Sequence, residues 1–241
     1  MPEVLLTSGA IEYVESGEGS PVVLLHGLLM DHRLWDEVLV NLPPGFRYIR
    51  PVLPLGAHRI PMQTDADLSM RGMVQILADF LEALDLQDVT LVHTDWGGGL
   101  FLTSHGLDSR ISRLVILPCE AFDNFPPGMP GKLAALAGRV PGGIWFALRQ
   151  LRIDFLRRSP LLMGEMSRKG ISAELARKWT APGIADSKIR RDLRKYATTP
   201  LDRPQLIRDT EALARFTGES LVLWSSAGKV IPREHGRRLA D

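Results

Sequence analysis

The chain has 241 residues, 45% of them hydrophobic, and its 29 Lys and Arg against 28 Asp and Glu leave a net charge of +1. That is enough apolar material for one large core, expected as a single domain with an insertion, and the balance alone argues neither for nor against nucleic acid. The one cysteine, Cys119, excludes an internal disulfide framework; no apolar run approaches the ~20 residues that span a bilayer, and MPEVLLTSGA lacks the basic and apolar regions of a signal peptide. A soluble, cytoplasmic protein is expected.

Val4-Leu5-Leu6 and Ile11-Glu12-Tyr13-Val14 read as two short strands joined at Ser8-Gly9. Pro21-Val22-Val23-Leu24-Leu25 is a wholly apolar strand of the kind buried on both faces of a parallel sheet, and it ends at His26-Gly27. A short helix is predicted over Arg33 to Leu42, and Phe46 to Leu53 gives another strand. Met73, Leu77, Phe80, Leu81 and Leu84 recur at helical spacing, so a long amphipathic helix packs there. Thr90-Leu91-Val92-His93-Thr94 is a buried strand that runs into Asp95 and then Gly97, Gly98 and Gly99. A helix over Leu100 to His105 and a strand over Arg113 to Leu117 follow.

Strand and helix alternate in this order in α/β folds with a mainly parallel sheet. The rhythm breaks after Glu120: the loop AFDNFPPGMPG carries three prolines, and helical stretches run to about Phe216. The expected division is a core over 1–121, a helical cap over 122–216 and a continuation of the core over 217–241. The sheet resumes at Ser220 to Trp224, and Ile231-Pro232-Arg233-Glu234-His235 opens a last helix. Between Arg149 and Lys195 there are thirteen Lys and Arg against five Asp and Glu, a local +8. Such a segment steers an anionic substrate, touches a membrane surface or decorates solvated helix faces; the last is the reading adopted, with neither nucleic acid nor membrane as partner.

Asp95 is the most informative residue. At a strand-to-helix elbow a side chain projects above the sheet, with helix N-terminal N–H groups aimed at it. Serine is the common occupant. A carboxylate there attacks a saturated carbon and becomes an ester. The plain alternative is an aspartate that caps the helix.

In order, VVLLHG, HTDWGG, a strand ending in an acid, a helical stretch and LVLW…VIP resemble the α/β-hydrolase fold. Within it they resemble the aspartate-nucleophile branch of haloalkane dehalogenases and epoxide hydrolases. The resemblance covers nearly the whole chain. It implies that Asp95 displaces halide or opens an epoxide, and that the amides of Trp96 and Leu28 form the oxyanion hole. It also implies that the Trp96 indole N–H stabilises a departing halide, a role that suits a donor-only group. Dehalogenases typically carry asparagine where Leu28 stands, and epoxide hydrolases carry proline where Leu29 stands. Epoxide hydrolases also take two tyrosines from the cap, whereas the only tyrosine between Phe122 and Phe216 is Tyr196. His93 stands where elbows often hold glycine and reads as a packed strand residue.

The triad acid usually follows LVLW in a turn where this chain has Ser225-Ser226-Ala227-Gly228-Lys229, which offers none. One subgroup of dehalogenases takes it from the end of the preceding core strand, and Glu120 matches that position, with Asp123 in reserve. Such a carboxylate fixes the tautomer of a histidine base. None of the six histidines, His26, His32, His58, His93, His105 and His235, falls in the family's slot beyond the LVLW unit. The expectation is therefore a chain without the last strand, the catalytic histidine and the closing helix, and an edge at Leu221 to Trp224 open to self-association. Three readings follow: a hydrolase with a covalent ester on Asp95, most like a haloalkane dehalogenase; an epoxide hydrolase or esterase of the same fold; or a catalytically impaired relative that binds an apolar ligand. The expected partner is a small apolar substrate; no cofactor or metal is implied.

Overall fold

The computed structural model describes residues 1–200, 202–225 and 228–241. Its sheet joins β1 (Glu3–Leu6), β2 (Gly9–Ser16), β3 (Ser20–Leu24), β4 (Phe46–Pro51), β5 (Val89–Asp95), β6 (Ile111–Cys119) and β7 (Glu219–Val222) in the order β1-β2-β4-β3-β5-β6-β7. The β1–β2 and β2–β4 pairs are antiparallel and all others are parallel, as the run of apolar strands predicts. β3 lies inside the sheet, and Val23, Leu24 and Leu25 are buried there. β7 pairs with β6 alone and stands at the sheet edge, with Leu221 and Leu223 half exposed.

The predicted helix over Arg33 to Leu42 is shorter than its sequence pattern. It is a 3-10 turn, His32–Trp35, running into α1 (Asp36–Leu39). Asp31 caps it through the Arg33 amide, and Trp35 is its only buried residue. α2 (Met70–Ala83) buries Met73, Val74, Ile76, Leu77, Phe80 and Leu81 against the sheet, the stripe that the spacing marks, and the Ser69 hydroxyl caps its start. The expected helix over Leu100 to His105 is not present. A 3-10 turn, Gly99–Phe101, follows the elbow instead. The glycines supply no side-chain packing to extend it, and Gly106, at φ 68°, turns the chain away.

Between β6 and β7 lie α3 (Gly128–Arg139), α4 (Gly143–Gln150), α5 (Asp154–Arg157), α6 (Ala173–Ala185), α7 (Ser187–Ala197) and α8 (Arg203–Glu211); α9 (Arg233–Ala240) follows β7. Buried polar bonds tie this helical insertion to the sheet loops. The Asp192 carboxylate, wholly buried on α7, accepts from the Met62 amide at 2.9 Å and from Arg191 at 2.8 Å, and it meets His58 Nε2 at 3.3 Å. Burial pushes its pKa up, but these hydrogen bonds outweigh that and hold it below the ordinary aspartate value. The Trp179 indole on α6 donates to Asp31 at 3.0 Å. Among the described residues no helix is long and apolar enough to cross a membrane.

Candidate active site

The elbow places Asp95 at φ 56°, in the left-handed region that few non-glycine residues occupy. The strain holds because the neighbours fit around it. A Cβ on Gly27 would fall 1.8 Å from Asp95 Oδ2, so the turn after β3 approaches the carboxylate as closely as only glycine permits. Beyond the elbow Gly98, at φ 77°, completes the reversal.

The turn after β3 is itself fixed by a neutral histidine. His26 Nδ1 lies 2.9 Å from the Gly27 carbonyl, and Nε2 accepts from the Leu53 amide at 2.8 Å, so the proton sits on Nδ1. Burial lowers the His26 pKa to about 4, which keeps this tautomer across the physiological range. The arrangement aims the Leu28 amide at Asp95 Oδ2, 3.1 Å away. Of the two expected oxyanion-hole donors, Leu28 makes a hydrogen bond to the carboxylate, while the Trp96 backbone helps to favour its charged form. The carboxylate does not cap the following turn. Glu120 does that, accepting the Gly98 amide on Oε1 at 2.9 Å.

Glu120 reaches that position through an irregularity in β6. Along β5 the register runs from His93 to Asp95, while along β6 it runs from Ile116 to Cys119, so β6 carries one extra residue around Leu117-Pro118. Pro118 has no N–H for the ladder and is at home in a bulge. The bulge swings Glu120 behind the elbow, where its amide donates to the Asp95 carbonyl at 3.0 Å. Glu120 Oε2 lies 3.2 Å from His93 Nε2, and both side chains are wholly buried. The sequence gives His93 only a packing role; its partnership with Glu120 spans 27 residues and has no signal in the strand's own pattern. Cys119 completes a cluster whose His93, Cys119 and Glu120 donor atoms lie within 4.8 Å of one another. Glu120 is already occupied on both oxygens, and burial pushes the Cys119 thiol pKa well up, so these residues fit a hydrogen-bonded support better than a metal site.

Burial raises the Asp95 pKa to about 7, helped by the Glu120 charge and opposed by the Leu28 and Trp96 amides. The nucleophile candidate is thus about half ionised at neutral pH. It opens on two cavities. One, of about 120 Å³, is almost wholly apolar and is bounded by Leu28, Trp96, Leu133, Ala134, Leu151 and Met163 among others. The other is a wider cleft of about 1110 Å³ bounded by Met30, Arg33, Pro118, Lys169, Trp179 and Trp224 among others. Among the described residues, no histidine lines either.

Trp96 is buried, with Phe125 at 4.9 Å and Tyr196 at 5.8 Å between ring centroids. Tyr196 points its hydroxyl at Met70 Sδ, 3.7 Å away, and lines neither cavity. Asp123 meets His235 at 3.6 Å, with the Phe122 ring packed on that histidine. Of the turn Ser225–Lys229, Ser226 and Ala227 lie outside the described residues.

A family profile described as alpha/beta hydrolase fold matches residues 20–240. A haloalkane dehalogenase of Mesorhizobium japonicum is 30% identical over 147 residues, covering 58% of this chain and 47% of that protein. A soluble epoxide hydrolase of a Corynebacterium species is 29% identical over 131 residues, covering 52% of this chain and 45% of that one. The chain thus matches a little under half the length of these curated relatives. Among solved structures, an epoxide hydrolase superposes with a TM-score of 0.73 at 20% identity, over 94% of this chain and 82% of its own. An ancestral haloalkane dehalogenase gives 0.72 at 21%, over 100% and 86%. At those identities the superpositions establish the fold.

Proposed function

The chain belongs to the alpha/beta hydrolase fold family, and within it we propose that the protein is a hydrolase working through a covalent ester on Asp95, most like a haloalkane dehalogenase. One observation carries the reading: a carboxylate on a strained elbow, held by the Leu28 amide, faces an apolar pocket walled by Trp96. In the first half-reaction an Asp95 oxygen forms a bond to the substrate carbon, the carbon–halogen bond breaks, and halide leaves with the bonding pair. Water then adds to the ester carbonyl. The Leu28 and Trp96 amides stabilise the oxyanion, and collapse returns Asp95 and releases an alcohol. The second step needs a base for water, worth ~10²–10⁴-fold. Glu120 supports the elbow from behind. Residues 122–216 act as a cap that shapes the pocket for a small apolar substrate, in a cytoplasmic setting.

Epoxide opening ranks lower because Tyr196, the one cap tyrosine, points away from the pocket. A ligand-binding protein without turnover is the second reading, and the lack of a cavity-lining histidine among the described residues favours it.

The test is incubation with 1-bromobutane, followed by bromide titration and intact-mass measurement. Ester chemistry gives at least one bromide per chain, with either turnover or a butyl adduct that Asp95→Ala abolishes. No bromide and no adduct would reject the nucleophile. An adduct without turnover keeps the nucleophile and leaves the chain a single-use alkyl acceptor.

A further inference from the structure

The helical insertion has two apolar faces, and only one of them looks at the pocket. α3 turns Leu133 and Ala134 inward to the cavity, and α4 turns Ala147 and Leu151 the same way. On the opposite side, α3 leaves Leu136 exposed and α4 leaves Trp145 and Phe146 exposed, with Phe146 at 61%. Ile153 and then Phe155, at 74%, extend the apolar character beyond the end of α4. A helix that is apolar on its outer side as well is built for a non-aqueous neighbour.

The charges on this stretch name that neighbour. From residue 124 to 164 there are six cations and one acid, Asp154. Asp154 is already engaged by Arg157 and Arg158. Lys132 and Arg139 sit on the exposed stripe of α3, at helical spacing from Leu136. Arg149 on α4 lies over the Trp145 ring at 4.8 Å, an aromatic and a cation presented together. Arg152 binds only the Thr180 hydroxyl and the Arg177 carbonyl, both uncharged, and keeps its full charge.

We propose that the outer face of α3 and α4 docks this protein on an anionic lipid surface, with Trp145, Phe146 and Phe155 entering the headgroup boundary and Lys132, Arg139, Arg149 and Arg152 meeting the lipid phosphates and carboxylates. Interleaved aromatics and cations, with a single acid that is already paired, are the signature of interfacial binding. A second copy fits the face poorly, because two like patches would bring their cations together. This docking is surface attachment and needs no spanning segment. It also puts the pocket wall formed by α3 and α4 against the bilayer, where apolar molecules concentrate. It stands apart from the chemistry at Asp95, and Asp95→Asn should bind lipid like the wild type.

The test uses the full chain and sonicated vesicles of phosphatidylcholine with 30 mol% phosphatidylglycerol, or of phosphatidylcholine alone, at 50 and 300 mM salt. We expect at least tenfold tighter co-flotation with the anionic vesicles, a marked loss at the higher salt and a blue shift of Trp emission that Trp145→Phe removes. Two substitution pairs at exposed positions, Phe146→Ser with Phe155→Ser and Arg149→Gln with Arg152→Gln, should each weaken binding at least tenfold while the melting temperature holds. No binding, equal binding to both vesicle types, or binding untouched by either pair overturns the proposal. So does a stable dimer by light scattering that the Phe146 and Phe155 changes dissolve, which would assign the face to a second copy.

Discussion

Replacing Asp95 with asparagine should make the protein more stable, and by an amount that depends on pH. Burial and the Glu120 charge raise the Asp95 pKa from 3.8 to about 7. In the native state the proton is held until about pH 7, whereas in the unfolded state it leaves near 3.8. Between those values the folded chain binds more protons, so its stability falls as pH rises through the window, and the penalty is complete above 7. At ~1.4 kcal/mol per unit, the penalty is on the order of 4 kcal/mol at pH 8 and about 1 kcal/mol at pH 4.5. Asparagine carries no charge, tolerates the left-handed conformation and presents an oxygen to the Leu28 amide, so it removes the penalty and keeps the geometry. His26, whose lowered pKa makes native stability fall below about pH 6.5, is common to both proteins and cancels in the difference. Urea unfolding of wild type and Asp95→Asn at pH 8 and 4.5 reads this directly. A gain at pH 8 that shrinks severalfold at pH 4.5 is expected; an equal gain at both, or a loss at pH 8, would refute a desolvated, repelled carboxylate.

The rate of ester formation with an alkyl bromide should rise with pH through an apparent pKa near 7, because only ionised Asp95 attacks. Glu120→Gln, by removing the neighbouring charge, should move that midpoint down by a few tenths of a unit to about one unit; a midpoint that stays put would show that Glu120 is electrostatically silent. Gly27→Ala should abolish the reaction and lower stability by roughly 1–3 kcal/mol, as overpacking against the Asp95 side chain does. Its Cβ would fall 1.8 Å from Asp95 Oδ2. An alanine variant with ordinary activity would mean that the turn after β3 stands off from the elbow.

What the sequence made legible was local. Apolar strands, the α2 stripe and the elbow itself all follow from neighbours within a few residues, whereas the Leu28 amide meets Asp95 across 67 residues and was legible only through the resemblance. What stayed hidden were pairings across the chain. His93 meets Glu120 across 27 residues and His58 meets Asp192 across 134, and no periodicity encodes either. Pro118 did carry a signal, since a proline beside an acid near the end of a strand predicts a bulge, and the bulge is what brings Glu120 behind Asp95. The length of the helix after the elbow was misjudged for a physical reason: apolar residues after three glycines look helical, but the reversal consumes the residues that would have formed its first turn. The two sides of α3 and α4 were harder to tell apart, because apolar residues stand on both, Leu133 and Leu136 on α3 and Phe146 and Ala147 on α4.

The elbow is a place where several unfavourable terms meet. Asp95 takes a left-handed conformation worth roughly 1–3 kcal/mol of strain, holds its charge away from bulk water and sits near a second carboxylate. The Leu28 and Trp96 backbone relieves the charge terms only in part, so the surroundings must over-determine the geometry. Trp96 is wedged between Phe125 from the loop before α3 and Tyr196 from α7, so the residue that follows the elbow is held by the helical insertion itself. The insertion is held in turn by Asp192, whose carboxylate is met by a core amide and a core histidine, and by Trp179 on Asp31. Hydrogen bonds to a buried charge are among the stronger ones available, at about 1.5–3 kcal/mol each. Loosening the insertion should therefore relax the elbow before it unfolds the sheet, which makes the helices as much a part of the nucleophile's presentation as of the pocket's walls.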